Sequence, residues 1–281
     1  MAIGDSTRIN TNIAAFNALS ALKGVNRSLE ISQLRLATGQ RINEVADDPA
    51  GFTISKSLEA RSRGLSVALD NVATAKNVLS IAEGGLMNIQ DILITMKEKV
   101  TQAKSDTMGA DERAAIKAEL NELSSEIDSI VTETEFNGIQ LINGAYTDKS
   151  YQTGEGASNT LAFSISQNFA AASIGVAAAS VGNSISTSTL ASSALGSVND
   201  ALDTVASELQ SVGATIARLT TKESTLNIAI TNTESTRSRI IDADIASEQL
   251  EATRNLILQQ TATAQLAQAN ITPQNVLALF T

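Results

Sequence analysis

One stretch of the sequence, Thr53 to Ala103, constrains the fold more than any other. Every seventh position along it is leucine or valine: Leu58, Leu65, Val72, Leu79, Leu86, Leu93 and Val100. Three residues after each of the last six comes another apolar side chain: Ala68, Ala75, Ala82, Ile89, Met96 and Ala103. This a/d heptad predicts a helix whose apolar seam faces another helix along its whole length. At about 1.5 Å per residue the helix would span roughly 75 Å, so a second long helix must lie beside it.

The second long run extends from Val198 to Ile240, with apolar residues at alternating steps of four and three. Its seam is interrupted by Glu223, Thr233 and Arg237. Polar residues at such positions lower stability but can fix the register of two helices. Because the two runs match in length, we predict that they pair antiparallel within the chain.

A shorter heptad predicts a third helix, packed antiparallel on the first long one because the connection Ser105 to Ala110 is short. Its N-cap is expected at Asp111. The apolar positions of this helix are Ile116, Leu120, Leu123, Ile127 and Ile130.

Three glycines, Gly64, Gly84 and Gly85, lie inside the first long helix. Each costs about 1 kcal/mol relative to alanine in a helix interior. They indicate either tolerated weakness in a well-packed helix or the close passage of a neighbouring backbone.

Both ends of the chain predict helices that are more apolar than the surface of a monomer should be. The N-terminal helix, Ile9 to Leu36, should end at Thr38-Gly39, and Asp48-Pro49 should cap and begin the first long helix. The C-terminal helix should run from about Ile245 to Asn270, with a break at Thr272-Pro273.

The segment from about Gly144 to Ser193 is rich in glycine, serine, threonine and alanine. The alternation of Leu161, Phe163 and Ile165 predicts a short strand. We expect a flexible surface insert with at most one or two small hairpins, and O-glycosylation of its hydroxyls is the alternative interpretation.

Composition excludes several classes of function. A net charge of −10 without basic clusters argues against nucleic-acid binding. The chain has no histidine and no cysteine, so the usual proton shuttles and nucleophiles are missing and we expect no enzyme and no cofactor. Asp242 and Asp244 favour helix capping over a metal site. Met1 to Arg8 lacks an apolar core and no long apolar run follows, so neither a cleaved signal peptide nor a membrane span is expected.

Several motifs together resemble those of one protein family, the bacterial flagellins. The resemblance covers residues 9–142 and 195–280. Its segments are Leu36 to Asn43, Ala46 to Gly51, Ala82 to Leu86, Glu135 to Leu141, Ser238 to Ile240 with Asp242 and Asp244, Leu266 to Asn270, and Pro273 to Leu277.

The resemblance implies a mainly α-helical fold: an elongated antiparallel bundle with paired N- and C-terminal helices and a small hairpin-containing insert. Residues 1–45 and 243–281 would form a terminal coiled-coil assembly domain. Residues 46–242 would form a rod domain with a short variable insert at about 144–193. The expected assembly residues are Ile9, Ile13, Phe16, Leu22, Val25, Leu256, Ile257, Leu266, Val276, Leu277 and Phe280.

The function that the resemblance implies is that of a structural subunit of the extracellular flagellar filament. The subunit would be exported unfolded by the flagellar type III apparatus. Its partners would be other copies of itself, an export chaperone, the filament cap and the hook-junction proteins.

The sequence is also compatible with two alternatives to a filament subunit. A hook–filament junction protein resembles flagellin at both ends, although the segments Ala82 to Leu86 and Glu135 to Leu141 favour flagellin. A type III translocator with membrane-active terminal helices would carry a Lys/Arg-rich polar face, and these helices lack one.

One family property, recognition by the flagellin-sensing Toll-like receptor, depends on residues that differ here. Thr95 and Lys99 stand where the family often has arginine and leucine, whereas Glu119 matches. Loss of the arginine removes a planar multi-donor contact, and lysine for leucine puts charge into an apolar contact. We therefore expect weak or absent receptor activation.

Overall fold

The computed structural model describes residues 11–182 and 185–278. Within these residues the fold is mainly α-helical, as predicted, with five α-helices and two short antiparallel strand pairs. The elements are α1 (Ile13–Thr38), α2 (Pro49–Ala103), α3 (Ala110–Glu133), β1 (Glu135–Phe136), β2 (Ile139–Gln140), β3 (Tyr146–Gln152), β4 (Thr160–Ile165), a π-helical turn (Ala178–Gly182), α4 (Ser188–Ile241) and α5 (Ile245–Ala278).

The described chain divides into two compact units. The terminal unit contains residues 11–61 and 232–278, and the central unit contains residues 62–231 apart from the undescribed 183–184. Helices α2 and α4 each contribute residues to both units.

The central unit is built on the two heptads. On α2, each a/d residue from Leu65 to Ala103 is at most 5% exposed, which confirms the predicted seam. On α4, the matching buried residues are Val198, Val205, Val212, Leu219 and Leu226. All of them belong to one continuous apolar core.

Two contacts give the direction in which α4 runs along α2. Ser188, at the start of α4, donates its hydroxyl hydrogen bond to the carbonyl of Lys104 just beyond the end of α2, at 3.0 Å. Further along α4, Glu223 Oε2 lies 2.6 Å from Lys76 Nζ. The two helices are therefore antiparallel in this unit, as predicted. Glu223, a polar interruption of the seam, is the residue that pairs across it, and a partly exposed pair of this kind specifies register more than it adds stability.

Helix α3 folds back along α2. Lys99 Nζ lies 2.6 Å from Glu119 Oε1, and Arg113 Nε donates to the carbonyl of Ala103 at 3.0 Å. The predicted antiparallel packing of the third helix is confirmed. The prediction of Asp111 as its N-cap is wrong: the cap is Gly109, whose N–H donates to the Glu112 carboxylate, so Asp111 lies inside the first turn.

The glycines of α2 differ in their surroundings. A Cβ built on Gly85 would lie 2.5 Å from the Thr134 hydroxyl and 2.9 Å from its methyl group, so a side chain passes close to the helix there. A Cβ on Gly64 would meet Glu155 at an ordinary 3.5 Å, and one on Gly84 would meet nothing within 4 Å. Of Gly64, Gly84 and Gly85, only Gly85 lies where a close neighbour leaves no room for a side chain.

The segment after α3 forms two hairpins. Strands β1 and β2 are joined by Asn137 and Gly138, whose φ angles of 51° and 75° give the tight turn that the Asn-Gly pair predicts. Strand β4 contains the predicted Leu161 alternation and pairs antiparallel with β3, with Tyr151 opposite Leu161.

The expectation of a flexible surface insert is wrong for the apolar residues of this segment. Ile165, Phe169 and Val176 are fully buried and belong to the same core as the heptad residues. The Asp128 carboxylate of α3 accepts a hydrogen bond from the N–H of Ala171 at 2.8 Å. Although apolar residues are sparse here, they pack inward and close the core of the central unit.

Candidate assembly surface

Helices α1 and α5 pair antiparallel and form a terminal hairpin, as predicted. Asn12 Nδ2 donates to the carbonyl of Ala269 at 2.7 Å, and Gln259 Nε2 donates to Asn26 Oδ1 at 2.8 Å. Further along, Arg35 Nη1 lies 3.8 Å from Glu248 Oε2. These contacts advance along α1 while they go back along α5, so the helices stay in register over their described length.

The interior of the terminal hairpin is small and partly polar. On α1 the buried residues are Leu29 and Ser32, the serine at 3% exposure. On α5 they are Ala252 and Asn255, both at 5%. The Asn255 Nδ2 group is buried without a hydrogen-bond partner among the described residues. Such an interior supplies little apolar burial to hold two long helices together.

Large apolar side chains instead point outward. Phe16 is 66% exposed, Leu250 70% and Ile257 60%. We call the exposed large apolar residues of α1 and α5 the apolar face. They are Ile13, Phe16, Leu19, Ile31, Leu34, Ile245, Leu250, Leu256, Ile257, Leu258 and Ile271. Monomeric proteins rarely expose so many large apolar residues on one pair of helices.

The residues predicted for assembly separate into three groups. Ile13, Phe16, Leu256 and Ile257 are exposed members of the apolar face. Three others are half-buried in the hairpin: Leu22, Val25 and Leu266. Outside the described residues or side chains lie Ile9, Val276, Leu277 and Phe280.

The sequence prediction missed several members of the apolar face, including Leu19, Ile31, Leu34 and Leu250. Heptad spacing selects the residues of a single seam between helices, whereas these residues are exposed and lie outside that seam. The sequence does show leucine and isoleucine around more than one face of the C-terminal helix, Leu250 among them, and this indicated an exposed apolar surface there.

The predicted helix break at Thr272-Pro273 is wrong, because α5 continues to Ala278. Proline at 273 has no N–H to donate to the carbonyl of Ala269, four residues earlier. That carbonyl accepts its hydrogen bond from Asn12 Nδ2. Asn12 also caps α1, since its Oδ1 accepts from the N–H of Ala15 at 3.0 Å. The Asn12 side chain thus accepts a hydrogen bond from an N–H group in the first turn of α1 and donates one to the carbonyl that Pro273 leaves without its helical donor.

At its other end the terminal hairpin continues into α2 through the segment 39–48 and into α4 through residues 242–244. Gly39 ends α1 in the left-handed conformation, with φ 70°, as predicted. Its carbonyl accepts from the N–H of Ala243, and the N–H of Arg41 donates to the carbonyl of Ile241 at 2.6 Å. Asp48 caps α2, its carboxylate accepting from the N–H of Gly51 at 3.0 Å, which confirms the predicted start at Pro49.

Asp47 holds the turn within this segment. Its carboxylate accepts from the N–H groups of Asn43 and Glu44 at 3.0 and 3.1 Å. These hydrogen bonds to the charged form lower the pKa of Asp47 below its ordinary value. The motif that resembles the flagellin N-terminal signature is therefore a junction of turns and caps.

Asp244 is a capping residue. Its Oδ1 accepts from the N–H groups of Ala246 and Ser247, at 3.0 and 3.2 Å, at the start of α5. Asp242 pairs through its backbone with Gln40. Among the described residues, no acidic cluster is arranged to hold a metal ion.

The residues that the resemblance assigns to receptor recognition lie in the central unit. The Thr95 hydroxyl donates to the carbonyl of Asp91 at 3.1 Å. Glu119, the residue that matches the family, forms an ion pair with Lys99, so its carboxylate already has a partner within the chain.

In the described part of the chain no helix is both long and apolar enough to cross a bilayer.

Fold and surface define a class: an α-helical subunit with a packed central unit and paired terminal helices whose apolar face is left exposed by the rest of the described residues. The profile of the bacterial flagellin N-terminal helical region matches residues 9–147, and that of the C-terminal helical region matches residues 195–280. The chain therefore belongs to the bacterial flagellin family, and it is a structural subunit of the extracellular flagellar filament.

Individual relatives agree with this membership. The chain is 33% identical to a flagellin of Bacillus subtilis and 31% identical to the flagellar filament 33 kDa core protein of Treponema phagedenis, covering 97% of this chain and 99% of each relative. A solved structure described as a flagellar hook-associated protein from Vibrio parahaemolyticus is similar in fold, with a TM-score of 0.59 at 16% identity, over 70% of this chain and 100% of that one.

Proposed function

We propose that the subunit polymerises through the terminal hairpin and that its apolar face is the principal contact between copies. In this proposal the assembly domain is formed by residues 1–45 and 243–281, and residues 46–242 form the rod that it carries. The chain transmits force as part of a polymer and has no catalytic role.

The observation that supports this proposal is the inverted burial of the terminal hairpin. Ser32 and Asn255 are buried between its helices, whereas Phe16, Leu250 and Ile257 are exposed. Burying each of these large side chains against another copy would contribute about 1.5–3 kcal/mol. Assembly therefore offers the hairpin more apolar burial than its own interior does.

The same inversion links assembly to folding of the ends. A hairpin with a small, partly polar interior gains little by folding alone and much by folding against a neighbour. An unfolded or weakly folded terminal hairpin would also suit passage through the flagellar type III apparatus, and a chaperone could cover the apolar residues before export. Further partners proposed from the family resemblance are the filament cap and the hook-junction proteins.

Deletion of either terminal helix tests the proposal. Removal of residues 1–36 or of residues 246–281 should leave a largely helical monomer, because the buried heptads of α2 and α4 lie between these segments. Neither truncated protein should elongate sheared wild-type filaments. Normal filaments from either one would contradict the proposal.

Electron microscopy of the intact protein separates the filament subunit from the alternatives. A filament subunit should give filaments micrometres long after seeding, whereas a hook–filament junction protein should give none. Co-sedimentation with liposomes in the absence of any filament would instead favour the translocator.

For the Toll-like receptor we propose weak recognition. Thr95 and Lys99 replace the arginine and leucine that the family often carries, and Lys99 pairs with the matching Glu119. A receptor would have to break this ion pair to use the carboxylate.

A further inference from the structure

We propose that a second, electrostatic contact joins copies of this chain: the cleft of Arg218 and Lys222 on one copy binds the acidic stripe of α3 on the next. This inference rests on the proposed function, because it assumes that copies of the chain assemble. It adds a specific pairing of two surfaces in the central unit.

The cleft lies between α4 and the β3–β4 hairpin. It has a volume of about 190 Å³ and is lined by Thr153, Thr160, Leu161, Arg218 and Lys222. Arg218 and Lys222 are four residues apart, so their side chains lie on the same side of α4. Two cations and a threonine hydroxyl beside a small cleft form a site suited to carboxylates.

Both cations are available for a partner. Within the described residues neither Arg218 nor Lys222 forms an ion pair or a side-chain hydrogen bond. The carboxylate next to them in sequence, Glu223, is held by Lys76 at 2.6 Å. In a chain of net charge −10, two adjacent unpaired cations are a local excess of positive charge.

The acidic stripe is the complementary surface. Glu122, Glu126 and Glu133 are exposed on α3 at spacings of four and seven residues, which places them along one face of the helix. In the part of the chain that the structure describes, none of the three forms an ion pair. A compact cluster of carboxylates would attract any cation. A row of carboxylates along a helix has the same spacing as two cations that lie one helical turn apart, so it can pair with both of them.

The two surfaces belong to different elements of one chain, so the contact is heterologous. A copy that offers its cleft to one neighbour still has its stripe free for another, and such contacts build open filaments. Complementary charge also raises the rate at which two copies associate and disfavours incorrect relative orientations. Apolar contacts are non-directional, so the apolar face provides less of this selectivity. The stripe of a second copy is therefore the partner that this cleft fits.

Charge reversal tests the pairing. R218E/K222E and E122K/E126K should each raise the critical concentration for elongation of wild-type seeds at least about tenfold, because each places like charges together. A chain carrying all four substitutions should elongate its own seeds near the wild-type concentration, since the pair is restored with its signs exchanged. Circular dichroism checks that every variant keeps wild-type helicity.

The matched control is K97E/K104E, which alters net charge as much as R218E/K222E does but at exposed lysines of α2 and its C-terminal end. This control should elongate like the wild type. The pairing would be overturned if both charge-reversed proteins had the wild-type critical concentration. It would also be overturned if the variant with all four substitutions had a critical concentration no lower than that of either charge-reversed protein. Failure of the wild-type protein itself to elongate seeds would overturn the proposed function instead.

Discussion

The Asn12 side chain connects the start of α1 to the C-terminal part of α5, because its Oδ1 accepts from the N–H of Ala15 at 3.0 Å while its Nδ2 donates to the carbonyl of Ala269 at 2.7 Å. Asn12→Asp should keep the cap on α1 and lose the donor to Ala269, whereas Asn12→Ala should lose both. Loss of a cap costs about 0.5–2 kcal/mol, and an orphaned carbonyl costs about 1–3 kcal/mol.

Hydrogen exchange measured by mass spectrometry distinguishes the two variants. Asn12→Asp should speed exchange in the last turns of α5 while the first turn of α1 stays near wild type, and Asn12→Ala should speed exchange at both ends. Equal exchange in all three proteins would mean that the Asn12 contacts do not stabilise the hairpin.

This residue also illustrates what sequence reasoning could not supply. The local rule for proline correctly identifies the hydrogen bond that Pro273 removes, and from it predicts a break. It cannot identify a replacement donor 257 residues away in the chain. The helix therefore continues where local rules end it.

Gly85 and Gly84 provide a matched pair of substitutions in α2. Gly85→Ala would place a methyl group 2.5 Å from the Thr134 hydroxyl, which already donates to the carbonyl of Ile130. We expect a loss of about 1–3 kcal/mol in the free energy of unfolding, from overpacking. Gly84→Ala meets nothing within 4 Å and should add about 0.5–1 kcal/mol through helix propensity.

Denaturant unfolding of both variants measures the difference. Adding Thr134→Ala to Gly85→Ala should recover part of the loss, because it removes the groups that the new methyl would meet. If the two alanine variants have equal stability, the close approach of Thr134 to α2 is not a feature of the folded protein.

Glu208 on α4 should make stability depend on pH. Its Oε1 is buried without a partner among the described residues, and burial raises the pKa of this carboxyl above its ordinary value. Because the pKa is raised in the folded state, folding favours the neutral carboxyl. The stability that this neutral carboxyl contributes is fully present below the ordinary pKa of glutamate, and it is lost as the pH rises through the folded-state pKa. Glu208→Gln should therefore be more stable than wild type at neutral pH.

The gain should disappear at about pH 3.5, where the wild-type carboxyl is protonated in both states. Unfolding curves at the two pH values measure it, and Glu98→Gln at an exposed position of α2 is the control. A gain of equal size at both pH values would argue against the buried carboxylate as its cause.

Receptor activation should be low in the natural chain and should rise in the variant Thr95→Arg/Lys99→Leu. The double substitution restores the residues that the family often has and releases Glu119 from its 2.6 Å ion pair. A reporter-cell assay gives the result, with Lys97→Leu as a control on the exposed side of α2. Full activation by the natural protein at picomolar concentration would contradict the expectation.

The burial of the long heptads was the most reliable prediction that the sequence allowed. Leu79 and Leu93 on α2 and Val205 on α4 are fully buried, since a heptad over many turns leaves few other arrangements. Phe169 was not predicted to be buried, because its neighbours in sequence are polar or small and its burial depends on tertiary contacts alone. The predicted assembly residues do not include Leu250, which is 70% exposed on α5.

The central claim is that the apolar face of the terminal hairpin holds copies of the subunit together. Seeded elongation of Phe16→Asp/Ile257→Asp, compared with Val67→Asp/Ile228→Asp, tests it most directly. The two pairs are matched in exposure, at 66% and 60% on the terminal hairpin and 60% and 59% in the central unit. The terminal pair should raise the critical concentration at least about tenfold, because each lost burial removes about 1.5–3 kcal/mol. The central pair should change it far less. Equal effects, or wild-type elongation by the terminal pair, would contradict the claim.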